Sequence, residues 1–178
     1  MNFSSHQHQH PKKIAAVLGA GESGEAAAIL LAGKGLEVTV VDSAEESRLE
    51  KKAQALAAHG IRLLAGAAWE CDETPYDLVV LSPGIDPVVP LVRYYVERGL
   101  PMTGELELAF ESCQCPVIGI TGTNGKTTTT QLVETMLNAC GVRTLAAGNI
   151  GPAFSARVNE SANLDVMTLE VSSFQLET

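Results

Sequence analysis

The chain has 178 residues, 46% of them apolar, and a formal net charge of −9. That apolar content is enough for a packed core, and no run is long and apolar enough for a transmembrane helix. The acidic balance excludes a general nucleic-acid or membrane-surface binder, which would present a basic patch, so any phosphate site must be made locally by backbone amides and a few cations.

Residues 1–12 are polar, lack an apolar h-region and read as a disordered leader, not a secretory signal. His6, His8 and His10 within them suit at most adventitious metal binding. The four cysteines, Cys71, Cys113, Cys115 and Cys140, have neither zinc nor disulfide-framework spacing and are expected as free thiols of a cytoplasmic protein.

From Ile14 onward short apolar strands alternate with helical stretches, the mark of an α/β fold with a parallel sheet. The pattern predicts strands over Ile14–Leu18, Val38–Val41, Ile61–Leu64 and Leu78–Leu81, and helices over Glu25–Ala32, Ala44–Ala58 and Val88–Arg98. GAGESG directly follows the first strand. It is a G-x-G-x-x-G fingerprint in which Gly19 makes the tight turn, Gly21 admits a pyrophosphate and Gly24 allows close helix packing. Asp42, ending the second strand, supplies the acidic residue the fingerprint calls for. The alternative is a tight βα turn without a ligand. Too little chain precedes the next phosphate loop for a second mononucleotide-binding half, which disfavours NAD and an oxidoreductase and favours a smaller nucleotide such as a UDP-sugar. Ser82-Pro83-Gly84-Ile85-Asp86 ends another strand on the same carboxyl edge, where it is either a ligand loop or a purely structural turn.

Cys115-Pro116 marks the expected boundary between a first domain, 13–114, and the start of a second, 115–178. There VIGITGTNGKTTT runs from an apolar strand into a glycine- and threonine-rich loop. Gly119, Gly122 and Gly125 let backbone N–H groups approach an anion, and the helix beginning near Gly125 points its positive dipole end at the same place. Lys126 is placed to reach the outer phosphates of a nucleotide, and the Thr127 hydroxyl to ligate Mg²⁺. Ile120 stands where the general G-x-x-x-x-G-K-[ST] pattern has its first glycine, so the loop is a variant. Gly122, Thr123, Asn124, Gly125, Lys126, Thr127 and Thr128 form the candidate nucleotide cradle. Leu132, Val133, Met136, Leu137 and Cys140 then fall at helical spacing, with Gly141 as the terminating glycine. Strand Arg143–Ala146 precedes Gly148-Asn149-Ile150-Gly151, and strand Asp165–Leu169 ends in Glu170, where a second Mg²⁺ ligand is needed beside a phosphate-loop strand.

In this order GAGESG, SPGID, GELEL, GITGTNGKTTT, GNIG and LEVSSFQLE resemble the Mur ligase family over nearly the whole chain after residue 13, and SPGI with EVSSFQLE points to its D-glutamate-adding branch. The member adding the third residue usually has His-Ala where this chain has Phe174-Gln175. The resemblance implies a Rossmann-like, parallel-sheet first domain that holds UDP through Gly19, Ala20, Gly21, Glu22, Ser23, Gly24, Asp42, Ser82, Pro83 and Gly84. It also implies a P-loop-type α/β ATP-binding domain. Lys126, Glu170 and Asn149 would serve catalysis, Thr127 and Glu170 would hold Mg²⁺, and Asn149 and Ser172 would lie along the substrate. Ser43-Ala44 departs from the Thr/Arg pair of some members, which leaves the uracil contacts open. The implied reaction joins UDP-N-acetylmuramoyl-L-alanine to D-glutamate through an acyl phosphate at the expense of ATP, in peptidoglycan synthesis, with no nucleic acid or membrane partner and a monomeric enzyme. Because the chain stops at Thr178, short of the family's length, it is expected to be a fragment inactive by itself. Another Mur-type ligase, or a UDP-sugar-binding module without turnover, are the rival readings.

Overall fold

A computed structural model describes residues 12–176. Residues 1–11, which carry the three leader histidines, and residues 177 and 178 lie outside the described residues. Five strands, β1 (Ile14–Leu18), β2 (Glu37–Asp42), β3 (Arg62–Ala65), β4 (Leu78–Leu81) and β5 (Met102–Gly104), form a wholly parallel sheet in the order β3-β2-β1-β4-β5. The central strands β1 and β4, IAAVL and LVVL, are almost continuously apolar because both faces are covered. Their helices are α1 (Glu22–Gly33), α2 (Glu46–Ala57), α3 (Pro90–Glu97) and α4 (Glu105–Phe110). Alanine-rich α1 lies deep, with Ala27, Ala28, Leu30 and Leu31 buried, whereas charged α2 buries only Leu56.

A second parallel sheet, ordered β6-β8-β7, is made of β6 (Val117–Ile120), β7 (Thr144–Gly148) and β8 (Val166–Glu170). With it go α5 (Lys126–Ala139) and α6 (Phe154–Arg157). At the C-terminus of α5 the Gly141 N–H (φ +80°) bonds Asn138 O at 3.0 Å and the Val142 N–H bonds Leu137 O at 3.0 Å, the paired bonds of a glycine-terminated helix.

Most predicted elements differ from the observed ones by one or two residues at their ends, as fraying termini do. Two differences are larger. The short β5 carries no periodicity of its own and exists because Val79, Val80 and Leu81 of β4 pair with Met102, Thr103 and Gly104. A 3₁₀ turn over Gly66–Cys71 stands where no element is expected; no strand or helix period marks it, and it brings Trp69 to the carboxyl edge of the first sheet.

One apolar cluster runs through both sheets, joining Ala27, Leu30 and Leu31 of α1 to Phe154 and Val158 and to Met167 and Leu169 of β8. Across the same contact the Glu105 carboxylate, 2% exposed, accepts the Ser155 N–H at 2.8 Å and the Ser155 hydroxyl at 2.5 Å. Burial pushes the Glu105 carboxyl above the usual carboxylate range, against the lowering effect of the Ser155 bonds. Packed this way, the two sheets open their carboxyl edges onto a common cleft. No described helix is long and apolar enough to cross a membrane.

Candidate nucleotide and substrate cleft

In the first sheet the chain leaves β1 toward β2 on one side while β4 lies on the other. The loops after β1 and β4 therefore diverge, and a crevice opens at the point where ligands of open α/β sheets bind. GAGESG and the Ser82–Gly84 turn are its two lips. The Gly19 N–H bonds Val41 O at 2.7 Å, which folds the loop tightly over the strand ends. Gly24 is forced by packing, since a Cβ there would lie 1.9 Å from Gly19 O, whereas a Cβ on Gly21 would meet nothing within 4 Å. The one glycine serves the helix–strand contact; the other leaves backbone open to a ligand. Asp42 is engaged within the protein: Oδ2 accepts the Ala20 N–H at 2.7 Å and Oδ1 the Ala44 N–H at 2.8 Å. The carboxylate thus braces the glycine loop. Beyond it, Asp42, Ser43, Trp69 and Ile85 border a cavity of about 460 Å³.

In the second sheet β8 is central, so Ile120 of the phosphate-loop strand and Gly148 of β7 both pair with Glu170. The register gathers two distant residues on one carboxylate. Glu170 is 2% exposed; its Oε2 accepts the Thr127 hydroxyl at 2.8 Å and its Oε1 the Asn149 amide at 2.8 Å. Asn149 is fixed further by its backbone N–H on Glu170 O at 2.8 Å. Gly125 caps α5 in the left-handed region (φ +75°), with no side chain capping the helix, so the first N–H groups of α5 remain available to an anion. Of the threonine row, Thr127 meets Glu170, Thr130 is buried on Lys126 O at 2.9 Å, and Thr128 and Thr129 are exposed. The Lys126 ammonium folds back onto Gly122 O at 2.8 Å, across the loop it would share with a phosphate.

These residues fit Mg²⁺ and a nucleotide phosphate. A hydroxyl and a carboxylate in contact are the hard oxygen donors Mg²⁺ takes, and in the loop a Cβ on Gly125 would meet nothing within 4 Å and one on Gly122 only Asn124 O at 3.7 Å, so the loop backbone is open to a ligand.

Glu22, Ser23, Pro83 and Gly84 from the first sheet face Asn149 and Ser172 from the second across a cavity of about 330 Å³. A second cavity of about 530 Å³, bordered by Gly122, Thr123, Lys126 and Ser172, continues over the phosphate loop. Thus the candidate residues of both sheets line adjoining space, with Ser172 common to the two cavities. A groove of about 560 Å³ between α1 and α6 shares Glu22 with the first of these cavities. Gln175 and Trp69 border the sites without having been singled out. Gln175 lies within a segment the sequence does mark, but no spacing signals that Trp69 shares a cavity with Asp42.

Two parallel sheets, each with a glycine-rich loop at its carboxyl edge, that share one cleft define an α/β protein of the open-sheet class. Residues 13–104 match the model of the Mur ligase MurD-like N-terminal domain and residues 120–178 that of the Mur ligase middle domain, and the chain belongs to the Mur ligase family. It is 42% identical over 167 residues to the UDP-N-acetylmuramoylalanine–D-glutamate ligase of Pelotomaculum thermopropionicum, covering 94% of this chain and 37% of that protein. To the ligase of the same name from Geobacillus sp. it is 44% identical over 161 residues, 90% of this chain and 36% of that one. The chain therefore spans little more than a third of the length of these relatives. The solved UDP-N-acetylmuramate:L-alanyl-γ-D-glutamyl-meso-diaminopimelate ligase of Neisseria meningitides shares the fold, with a TM-score of 0.56 at 23% identity over 92% of this chain and 55% of that one.

Proposed function

We propose that this chain supplies the UDP-substrate site and the phosphate loop of an ATP- and Mg²⁺-dependent ligase that joins D-glutamate to UDP-N-acetylmuramoyl-L-alanine in the cytoplasm, acting as a monomer. In this reading residues 13–114 form the UDP-substrate domain, 115–178 the first part of the ATP-binding domain, and 1–12 a leader. The observation that carries it is the cleft, in which Glu22, Ser23 and Gly84 of a UDP-sized site face Asn149 and Ser172 beside the phosphate loop. The names of the relatives supply D-glutamate as the incoming amine.

A carboxylate is a poor electrophile toward an amine, so the reaction needs activation. ATP supplies the phosphoryl group for an acyl phosphate, and Mg²⁺ the charge that eases its transfer. The protein's part is positioning and charge neutralisation. The backbone of Gly21–Gly24 holds the diphosphate of the UDP substrate. Lys126 leaves Gly122 O for the outer phosphates of ATP, and the first N–H groups of α5 complete the cradle. Thr127 and Glu170 hold the metal. Asn149, fixed on Glu170, and Ser172 orient the substrate arm.

Calorimetry on the chain with UDP-N-acetylmuramoyl-L-alanine, UDP and NAD tests the substrate site. Binding of both uridine ligands without NAD is expected; tight NAD binding with no response to UDP overturns the reading. Ligation by these 178 residues alone is expected to be undetectable. The relatives carry most of their length outside the matched region, and holding an amine in line can contribute roughly 7–11 kcal/mol. Dipeptide product seen by mass spectrometry from this chain with ATP, Mg²⁺ and D-glutamate would show otherwise.

A further inference from the structure

Among the described residues the most exposed of the large apolar side chains is Phe174, at 69%. A ring left in water forgoes the stabilisation that burial gives, yet the local structure holds it there. Its neighbour Gln175 is buried, 6% exposed. The Gln175 Oε1 accepts the backbone N–H of Ser172 at 2.9 Å and its hydroxyl at 3.0 Å, and the Gln175 N–H donates to the Ser172 oxygen at 3.3 Å. Phe174–Leu176 form a 3₁₀ turn, in which successive side chains diverge by a third of a revolution, so anchoring Gln175 inward directs Phe174 outward.

The ring then stands at a junction. Phe174 borders the cleft of about 330 Å³, the phosphate-loop cavity of about 530 Å³, and a third cavity of about 580 Å³ beside Pro87 and Val88. No other described residue borders all three. If the diphosphate lies on Gly21–Gly24 and the substrate carboxylate meets the outer phosphate beside Lys126, as the proposed function requires, the arm linking sugar to carboxylate must pass this ring. The arm's polar atoms have Asn149 and Ser172 within the cleft. Its aliphatic atoms need an apolar face.

We propose that Phe174 is the substrate-contact residue for this arm. It packs on the short aliphatic acyl–amino-acid segment of a UDP-sugar and so aims the terminal carboxylate at the phosphate loop. The inference rests on the proposed substrate, and the test separates the two. Calorimetry compares UDP with UDP-N-acetylmuramoyl-L-alanine on the wild-type chain and on Phe174→Ala, Phe174→Gln and Phe174→Tyr. Losing the apolar contact should weaken the full substrate about tenfold in the Ala and Gln variants, leave UDP affinity and the thermal unfolding midpoint unchanged, and be reversed in the Tyr variant. Having two loss variants keeps the comparison available if one of them does not fold. Unchanged affinity for the full substrate, or an equal loss for UDP, overturns the role of Phe174 while the proposed function stands. A wild-type chain that binds neither ligand overturns the proposed function and this inference with it.

Discussion

Gly21 and Gly24 have different roles within one loop, the first leaving backbone open and the second allowing close packing. A methyl group on Gly24 would overlap Gly19 O at 1.9 Å, a backbone atom that cannot move without opening the β1–α1 turn. Gly24→Ala is expected to cost more than about 3 kcal/mol, seen in urea denaturation. Gly21 has open space around its Cβ position and serves as the N-cap of α1. Gly21→Ala should cost no more than about 1 kcal/mol, the penalty of alanine at an N-cap, while calorimetry should show a loss of UDP affinity, because the added methyl would occupy the space the proposed function gives to the diphosphate.

The elements of the second sheet divide in a similar way between support and chemistry. Lys126 has Gly122 O as its hydrogen-bond acceptor and sits at the rim of the loop, so Lys126→Ala should leave the unfolding free energy within about 0.5 kcal/mol. Nucleotide titration should nonetheless show ATP affinity falling by at least about tenfold with the lost charge-assisted contact, and UDP affinity unchanged. Glu170 behaves differently because it is buried and ties α5 to the turn after β7 through Thr127 and Asn149. Glu170→Ala removes the acceptor of both bonds and is expected to destabilise by about 1–3 kcal/mol as well as to weaken Mg²⁺-dependent ATP binding. Equal stability of wild type and Glu170→Ala in denaturant would show that these bonds do not hold the loop.

At the scale of the whole molecule two buried carboxylates give stability opposite dependences on pH. Burial would raise Asp72, but hydrogen bonds from Thr74 and Tyr95 outweigh it and hold the carboxyl below its usual range. Its contribution is therefore present above the ordinary carboxylate pKa and is lost as pH falls through the lowered folded value. Glu105, raised by burial between the two sheets, contributes fully below the ordinary value and loses that contribution as pH rises through the folded one. Denaturation of Glu105→Gln beside wild type should show the wild-type advantage shrinking from pH 4 to pH 8, and Asp72→Asn should show the wild-type advantage growing from pH 2 to pH 5. A pH-independent difference in either pair would contradict the assigned shift.

The parallel-sheet class, the two phosphate-type loops and the order of the main strands and helices are legible in the chain alone, because each of these is written locally. Gly19, Gly21 and Gly24 fall at a fixed spacing after an apolar strand, and Lys126 and Thr127 follow a glycine loop into a helix. Residues such as Glu170 and Asn149 could be named from their positions after strands, but their meeting could not, since it depends on β8 lying between β6 and β7. The same holds for β5, which needs β4 as its partner, and for Asp42, whose carboxylate turns to the Ala20 and Ala44 amides. Packing in three dimensions buries Glu105 on Ser155, turns both sheets to one cleft, and sets Gln175 inward so that Phe174 stands at its mouth. Periodicity and spacing report on neighbours along the chain, and these contacts arise from register and packing between segments far apart in it.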